Sequence, residues 1–267
     1  MATTYDLNNF VVDRVLRGIM LSSADDSVLW SLNQITNPSL NCSTDTQDAV
    51  DMLGAPIITF ERAKTVEFSA ENSLFDLGLF AAQSGAEKEV ATSSKKIIAP
   101  AFETLTVGTE TTAALQLKHK PNAQIKEIHV LKGDQTLGTR FTNGESATEN
   151  QFVHTSESQS ITPPTGLTAG TDLFVVYEYE SEEAVAVTNS ANSFPKAGKF
   201  IMEILGCDVC DQTTLVHAYL IMDNAKLTSD FDFSFATDST HSFTIRANQA
   251  YCSKDRQLVR IVIPKED

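Results

Sequence analysis

The chain has 267 residues, 42% of them hydrophobic, with 15 Phe against 5 Tyr and 1 Trp. That is enough apolar material for one large core or two small ones, and it excludes a disordered chain. Its 20 basic and 35 acidic residues leave a formal charge of -15, which repels phosphate and argues against tight binding to nucleic acid or to anionic membranes. The acids are spread along the sequence, as on a solubilising surface or on a face turned toward another polyanion.

At the N-terminus, Asp6, Asp13, Arg14 and Arg17 interrupt the apolar residues, a pattern of neither a signal nor a transit peptide. No apolar run approaches the ~20 residues of a membrane span. The expectation is a protein made and folded in a cytoplasm, with its four cysteines as free thiols. The run Val11, Val12, Val15, Leu16, Ile19, Met20 fits a helix or a strand, and its Val and Ile content with Gly18 leans it toward strand.

Short β-type runs follow at Ser27–Leu32, Ile57–Phe60 and Thr65–Phe68. Asn37-Pro38, Asp51–Gly54 and Glu61–Lys64 read as turns or loops between them, which predicts a meander or hairpin. A helix is predicted from Asn72 to Ser84, with Ser73 as cap, Asp76 three residues later and Gly85 as the left-handed stop. Its apolar residues cover most of the circumference, so it needs cover on several sides. Strands are then predicted at Thr112–His119, Ile125–Leu131 and Asp172–Tyr179, and the polar stretch Thr142–Gly170 as a long loop or exposed hairpin. In the C-terminal part, Phe231–Phe235 and Phe243–Ala247 alternate apolar with polar residues, the period of a strand buried on one face. Thr237–Thr240 joins them as a turn, and Leu258–Ile263 returns after the polar turn Ser253–Gln257. The fold class expected is mainly β: one antiparallel β-sandwich over residues 1–267 with a single short helix and long loops, residues 102–170 being an elaboration of it.

No P-loop, G-x-G-x-x-G, G-x-S-x-G or H-E-x-x-H occurs in the sequence, so the common phosphate, nucleophile-elbow and zincin readings lack their starting residues. Cys207-Asp208-Val209-Cys210 is half of a zinc site, for which Cys42, Cys252 or His217 are the available partners. Structural thiols are the plainer reading, because a redox pair needs a helix N-terminus that the flanking strands do not offer. Asp230-Phe231-Asp232 resembles a metal-binding D-x-D, and Glu178-Tyr179-Glu180 precedes Glu182-Glu183. In both, alternation puts the carboxylates opposite the aromatic face, where a solvated or interface-facing strand explains them. The five histidines are dispersed, and none stands beside an obvious nucleophile or ligand. Neither catalysis nor a cofactor is expected.

The order of features from Val28 to Gly85, VLWSLNQITNPSLNCSTDTQDAVDMLGAPIITFERAKTVEFSAENSLFDLGLFAAQSG, resembles the major tail proteins, or tail tube proteins, of long-tailed bacteriophages. FPKAGKFIMEILGCDVC and DFDFSFATDSTHSFTIRANQAYCSKDRQLVRIVIP resemble that family's C-terminal sheet. The resemblance implies a structural virion protein without enzymatic activity. It implies a β-sandwich that assembles with itself into rings, typically hexameric, stacked into a tail tube for DNA. Tape-measure and tail terminator or connector proteins would be its partners. Asp230, Asp232, Glu178 and Glu180 would then be candidate lumen-facing acids that keep DNA from sticking. The alternatives are a capsid decoration, tail-tip or adhesion module of similar texture, or a zinc or redox protein using Cys207 and Cys210.

Overall fold

Along Lys199–Glu203, Phe200 and Met202 are buried while Lys199, Ile201 and Glu203 are only half-buried, so one face of this strand builds a core. The computed structural model describes residues 7, 9–233, 235–237, 239–249 and 256–265, and 55% of the chain is strand against 3% helix. The sequence expectations touching Asp6, Ser234, Asp238, Cys252 and the start of the turn Ser253–Gln257 lie outside the described residues.

In chain order the elements are β1 (Phe10–Ser22), β2 (Val28–Leu32), β3 (Ile35–Val50), β4 (Pro56–Asn72) and α1 (Leu77–Ser84). β5 (Glu89–Val90), β6 (Ile97–Thr106), β7 (Leu115–Gln116), β8 (Glu127–Leu131) and β9 (Leu137–Asn143) follow. Then come β10 (Gln151–His154), β11 (Ser160–Thr162), β12 (Asp172–Ser181) and β13 (Val185–Ala186). β14 (Ala197–Asp208), β15 (Asp211–Leu227), β16 (His241–Ala247) and β17 (Arg260–Val262) complete the series. The chain divides into two compact units: residues up to Lys88 together with those from Val187, and the inserted stretch Glu89–Ala186.

The first unit holds a sheet in the order β2-β1-β14-β15-β16-β4-β3, antiparallel at every recorded pairing, with β17 on β15. Four strand spacings separate β2 from β16, about 19 Å in a flat sheet, yet the rings of Trp30 and Phe243 lie 5.8 Å apart. Phe68 on β4 and Phe200 on β14 are likewise 5.3 Å apart across two intervening strands. The sheet therefore curls over itself, sandwich-like, around these aromatics with Met20, Leu32, Met222 and Ile245. The bend falls at β15, whose second edge is shared in succession by β17, at Tyr219–Ile221, and β16, at Ala225–Leu227.

α1 contributes Leu79 to this core. It begins later than the sequence suggests: Asp76, not Ser73, is the cap, in extended backbone with its carboxylate accepting from the Leu79 N–H at 2.7 Å. Residues 73–75 stay outside the helix, and Phe75 stacks on His241 at 5.4 Å. Gly85 stops the helix with φ +65°, where its N–H reaches Ala82; a Cβ there would lie 2.3 Å from the Phe194 carbonyl oxygen.

The second unit holds a sheet in the order β6-β12-β8-β9-β10-β11-β7, with β9 and β10 parallel and the other recorded pairs antiparallel. Ile128, Phe152, Ile161, Leu173 and Val175 form its dry core. His154 is buried among amides: its Nδ1 accepts from the Ile125 N–H at 3.1 Å, its Nε2 lies 2.9 Å from the Ser158 carbonyl, and Asn143 brackets its backbone. β5 and β13 pair at Val90 and Val185, so the insert leaves where it enters.

Several predicted boundaries shift. Glu61–Lys64 is continuous strand within β4, and Asn37-Pro38 is a bulge in β3, with Asn37 at φ +50°. The polar stretch 142–170 contributes β10 and β11, whose Phe152 and Ile161 are core. Of Thr112–His119 only Leu115–Gln116 is strand. Phe231–Phe235 forms no strand among its described residues, only an isolated bridge from Phe233 to His241.

Candidate interaction surface

β3 and β4 pair from Ile35 opposite Asn72 to Val50 opposite Pro56, but β16 supports β4 only over Val66–Asn72. From Ser43 to Thr65 the described pairing of these strands is with each other, and every residue except Asp51 is exposed. The result is a two-stranded arm reaching roughly 30 Å beyond its support. A lone hairpin of this kind is marginal in water.

Local polar contacts hold it. The hydroxyls of Ser43 and Thr65 lie 2.6 Å apart, Thr59 donates to Asp48 at 2.6 Å, and Arg62 donates to Gln47 at 2.7 Å. At the tip, one Asp51 carboxylate oxygen accepts from the Leu53 and Ala55 N–H groups at 2.8 and 2.9 Å, and Gly54 supplies the left-handed turn at φ +85°. These bonds specify a rigid turn with few buried contacts behind it.

What the turn presents is apolar. Met52 is 100% and Leu53 90% exposed, with Val50, Ile57, Ile58 and Phe60 also open. Clustered apolar exposure of this kind marks a surface that another surface covers. Asp45, Asp48 and Asp51 accompany it, and residues 45–60 contain no Lys or Arg. A second apolar patch lies before α1 and after β15, where Phe75 and Phe233 are 4.4 Å apart, Phe233 and Phe235 are 4.8 Å apart, and Phe235 is 96% exposed.

Beneath that patch, Gln83 ties α1 to the sheet. Its amide nitrogen donates to the Ser242 carbonyl at 3.1 Å, which turns its oxygen to His241 Nε2 at 2.7 Å, so that nitrogen carries the proton. Burial pushes the His241 imidazole below its ordinary range, with Asp76 pulling weakly the other way. Elsewhere, burial and the Glu103 carboxylate at 2.5 Å push the Tyr177 phenol upward.

The residues singled out in the sequence do not converge. Cys207 is the last residue but one of β14, Cys210 sits in the following turn with its N–H on the Asp208 carboxylate at 2.9 Å, and Cys42 is on β3 opposite Val66 at the base of the arm, all three as free thiols. His217 Nδ1 faces Glu203 at 3.0 Å. Among the described residues no three His, Cys, Asp or Glu are grouped to hold a metal. Asp230 and Asp232 are exposed in the first unit, after β15. Glu178 and Glu180 are exposed on β12 of the second unit, and Glu180 shares Lys96 with Glu182 at 3.7 and 3.2 Å. Among the described residues no helix is long and apolar enough to cross a membrane.

Sequence reasoning missed the arm as a unit, because its strands lack the alternation that burial imposes. The turn Asp51–Gly54 was the visible signal. Compared with known families, residues 10–257 match the model of the YomU/Tube protein family. No curated protein matches the chain.

Proposed function

The chain belongs to the YomU/Tube protein family, a phage tail tube protein family, and from that premise we propose that it assembles with itself into rings that stack into the tube through which phage DNA passes. The observation that carries this reading is the arm. A hairpin with Met52 and Leu53 almost fully exposed is an unfinished surface in the monomer, and a neighbouring copy finishes it. A repeated head-to-tail contact of this type closes into rings or runs on as a filament, depending on the rotation it imposes. Six copies per ring is the stoichiometry we propose. A tape-measure protein inside the tube and a terminator or connector at its end are the partners it would need, and the tail of the virion is where it would act.

The charge supports the second half of the proposal. Each copy carries a formal charge of -15, and a channel lined by part of that acid would repel phosphate so that DNA slides without adhering. Asp230, Asp232, Glu178 and Glu180, all exposed, are the acids we place at the lumen. Residues 89–186 read as an elaboration of the tube subunit, and the role is structural, without catalysis.

Electron microscopy of the purified chain tests this. Rings of one diameter, or tubes built from them, are the expected result. Dispersed monomers at high concentration would overturn it in favour of a decoration, tail-tip or adhesion module.

A further inference from the structure

A groove of about 300 Å³ runs along α1 in the first unit. One wall is the small-residue side of the helix, Gly78, Ala81, Ala82 and Gly85; the other is Val28, Leu29 and Trp30 of β2. Lys88 and Lys196 stand at its edge, both exposed, with Glu87 at 3.6 Å from the Lys196 ammonium. Val28 is 58% exposed, so the groove is open.

Trp30 backs the groove with its ring and is itself packed into the core against Phe200 and Phe243, so the apolar floor is fixed in place. Gly78, Ala81 and Ala82 add no bulk along the helix side, which leaves the space above that floor open.

The arm tip has the complementary properties. It offers two openly exposed apolar side chains, Met52 and Leu53, on a turn already fixed by Asp51. Its carboxylates, Asp45, Asp48 and Asp51, have no basic residue among positions 45–60. In a chain with 35 acidic and 20 basic residues, most surfaces of a second copy repel such a tip. The groove's edge, with Lys88 and Lys196 against the single Glu87, carries a net positive charge that attracts it. With Met52 fully exposed, the tip is not seated in its own subunit.

We propose that the groove between α1 and β2 is the receptor for the arm tip of a second copy, with Met52 and Leu53 filling it and Lys88 and Lys196 facing the tip's aspartates. This rests on the self-assembly reading and adds the contact that carries it. Leu53→Asp places a charge in the groove, and Lys196→Glu reverses its edge. Each is expected to raise the concentration needed for assembly at least about tenfold, and each lies at an exposed position, so the monomer's melting temperature should hold.

The deciding experiment maps the contact directly. Leu53→Cys, in the full chain with the four native cysteines changed to serine, is labelled with a photo-reactive maleimide, mixed with unlabelled isotope-coded chain, assembled, irradiated and digested. Cross-links from position 53 to the unlabelled copy within Val28–Trp30 or Gly78–Lys88 are the expected result. Assembly with cross-links only to other segments, or to another protein, would overturn the groove assignment while leaving self-assembly standing. Unmodified chain that stays monomeric would overturn the self-assembly reading, and this assignment with it.

Discussion

The arm and the inserted unit are both additions to the curled sheet, and they are stabilised in opposite ways. The insert carries its own dry core around Phe152, Ile161, Leu173 and Val175, and its buried His154 is satisfied at both ring nitrogens. The arm has neither: beyond Val66 its strands are exposed on both faces and are held by hydroxyl, amide and carboxylate contacts. Burial makes one segment a compact unit with its own core. The lack of it makes the other a surface waiting for a partner.

The sharpest way to break this contrast is to remove an aromatic from each. Phe152→Ala, at a site with no exposure, should cost the insert ~3–5 kcal/mol. Phe60→Ser, at 47% exposure on the arm, should change monomer stability by less than ~0.5 kcal/mol. Chemical denaturation of the two variants checks both. A large loss for Phe60→Ser would mean that the arm is packed in the monomer after all.

Replacing Glu89–Ala186 by a short Gly/Ser linker sharpens the comparison from the other side. Because Val90 and Val185 are paired, their Cα atoms lie within about 5.5 Å of each other, and little is needed to bridge the gap. The remaining unit should keep a cooperative melt with strand-type circular dichroism. A molten product would show that the insert is part of the first unit's stability.

Smaller effects come from the helix that flanks the groove. Asp76→Ala removes the cap contact to Leu79 and should cost ~1 kcal/mol, read as a lower melting temperature. His241 gives a pH signature. Its folded-state pKa lies below the unfolded value of ~6.5, so the unfolded chain binds more protons in that window. Stability from this group is therefore complete above about pH 6.5 and declines as pH falls below it. The melting temperature should drop on acidification from pH 7 toward pH 5, and His241→Phe should flatten that part of the slope. An unchanged slope would remove His241 as its source.

How far the sequence was readable follows the same divide. β16 shows alternation because Phe243 and Ile245 face a core while Thr244 and Arg246 do not, and the base of β4 shows it at Phe68 and Ala70. The distal arm has no buried face, so Glu61–Lys64 looked like a turn although it is strand. β6 escaped notice because Pro100 sits inside it, which an edge strand tolerates. Phe231, Phe233 and Phe235 misled in the other direction, alternating as a strand would while forming a surface cluster against Phe75 and Phe80. The groove left no sequence signal. Trp30, Gly78 and Lys196 are remote in sequence, and the packing of α1 on β2, with the start of β14 beyond β1, brings them together.

Hydrogen exchange over Val50–Phe60, compared between monomer and assembled tubes, tests the central claim that the arm is completed by a neighbour. The account predicts fast exchange at these amides in the monomer and strong protection in the tubes, with the insert's core protected equally in both. Equal exchange of the arm in the two states would contradict it.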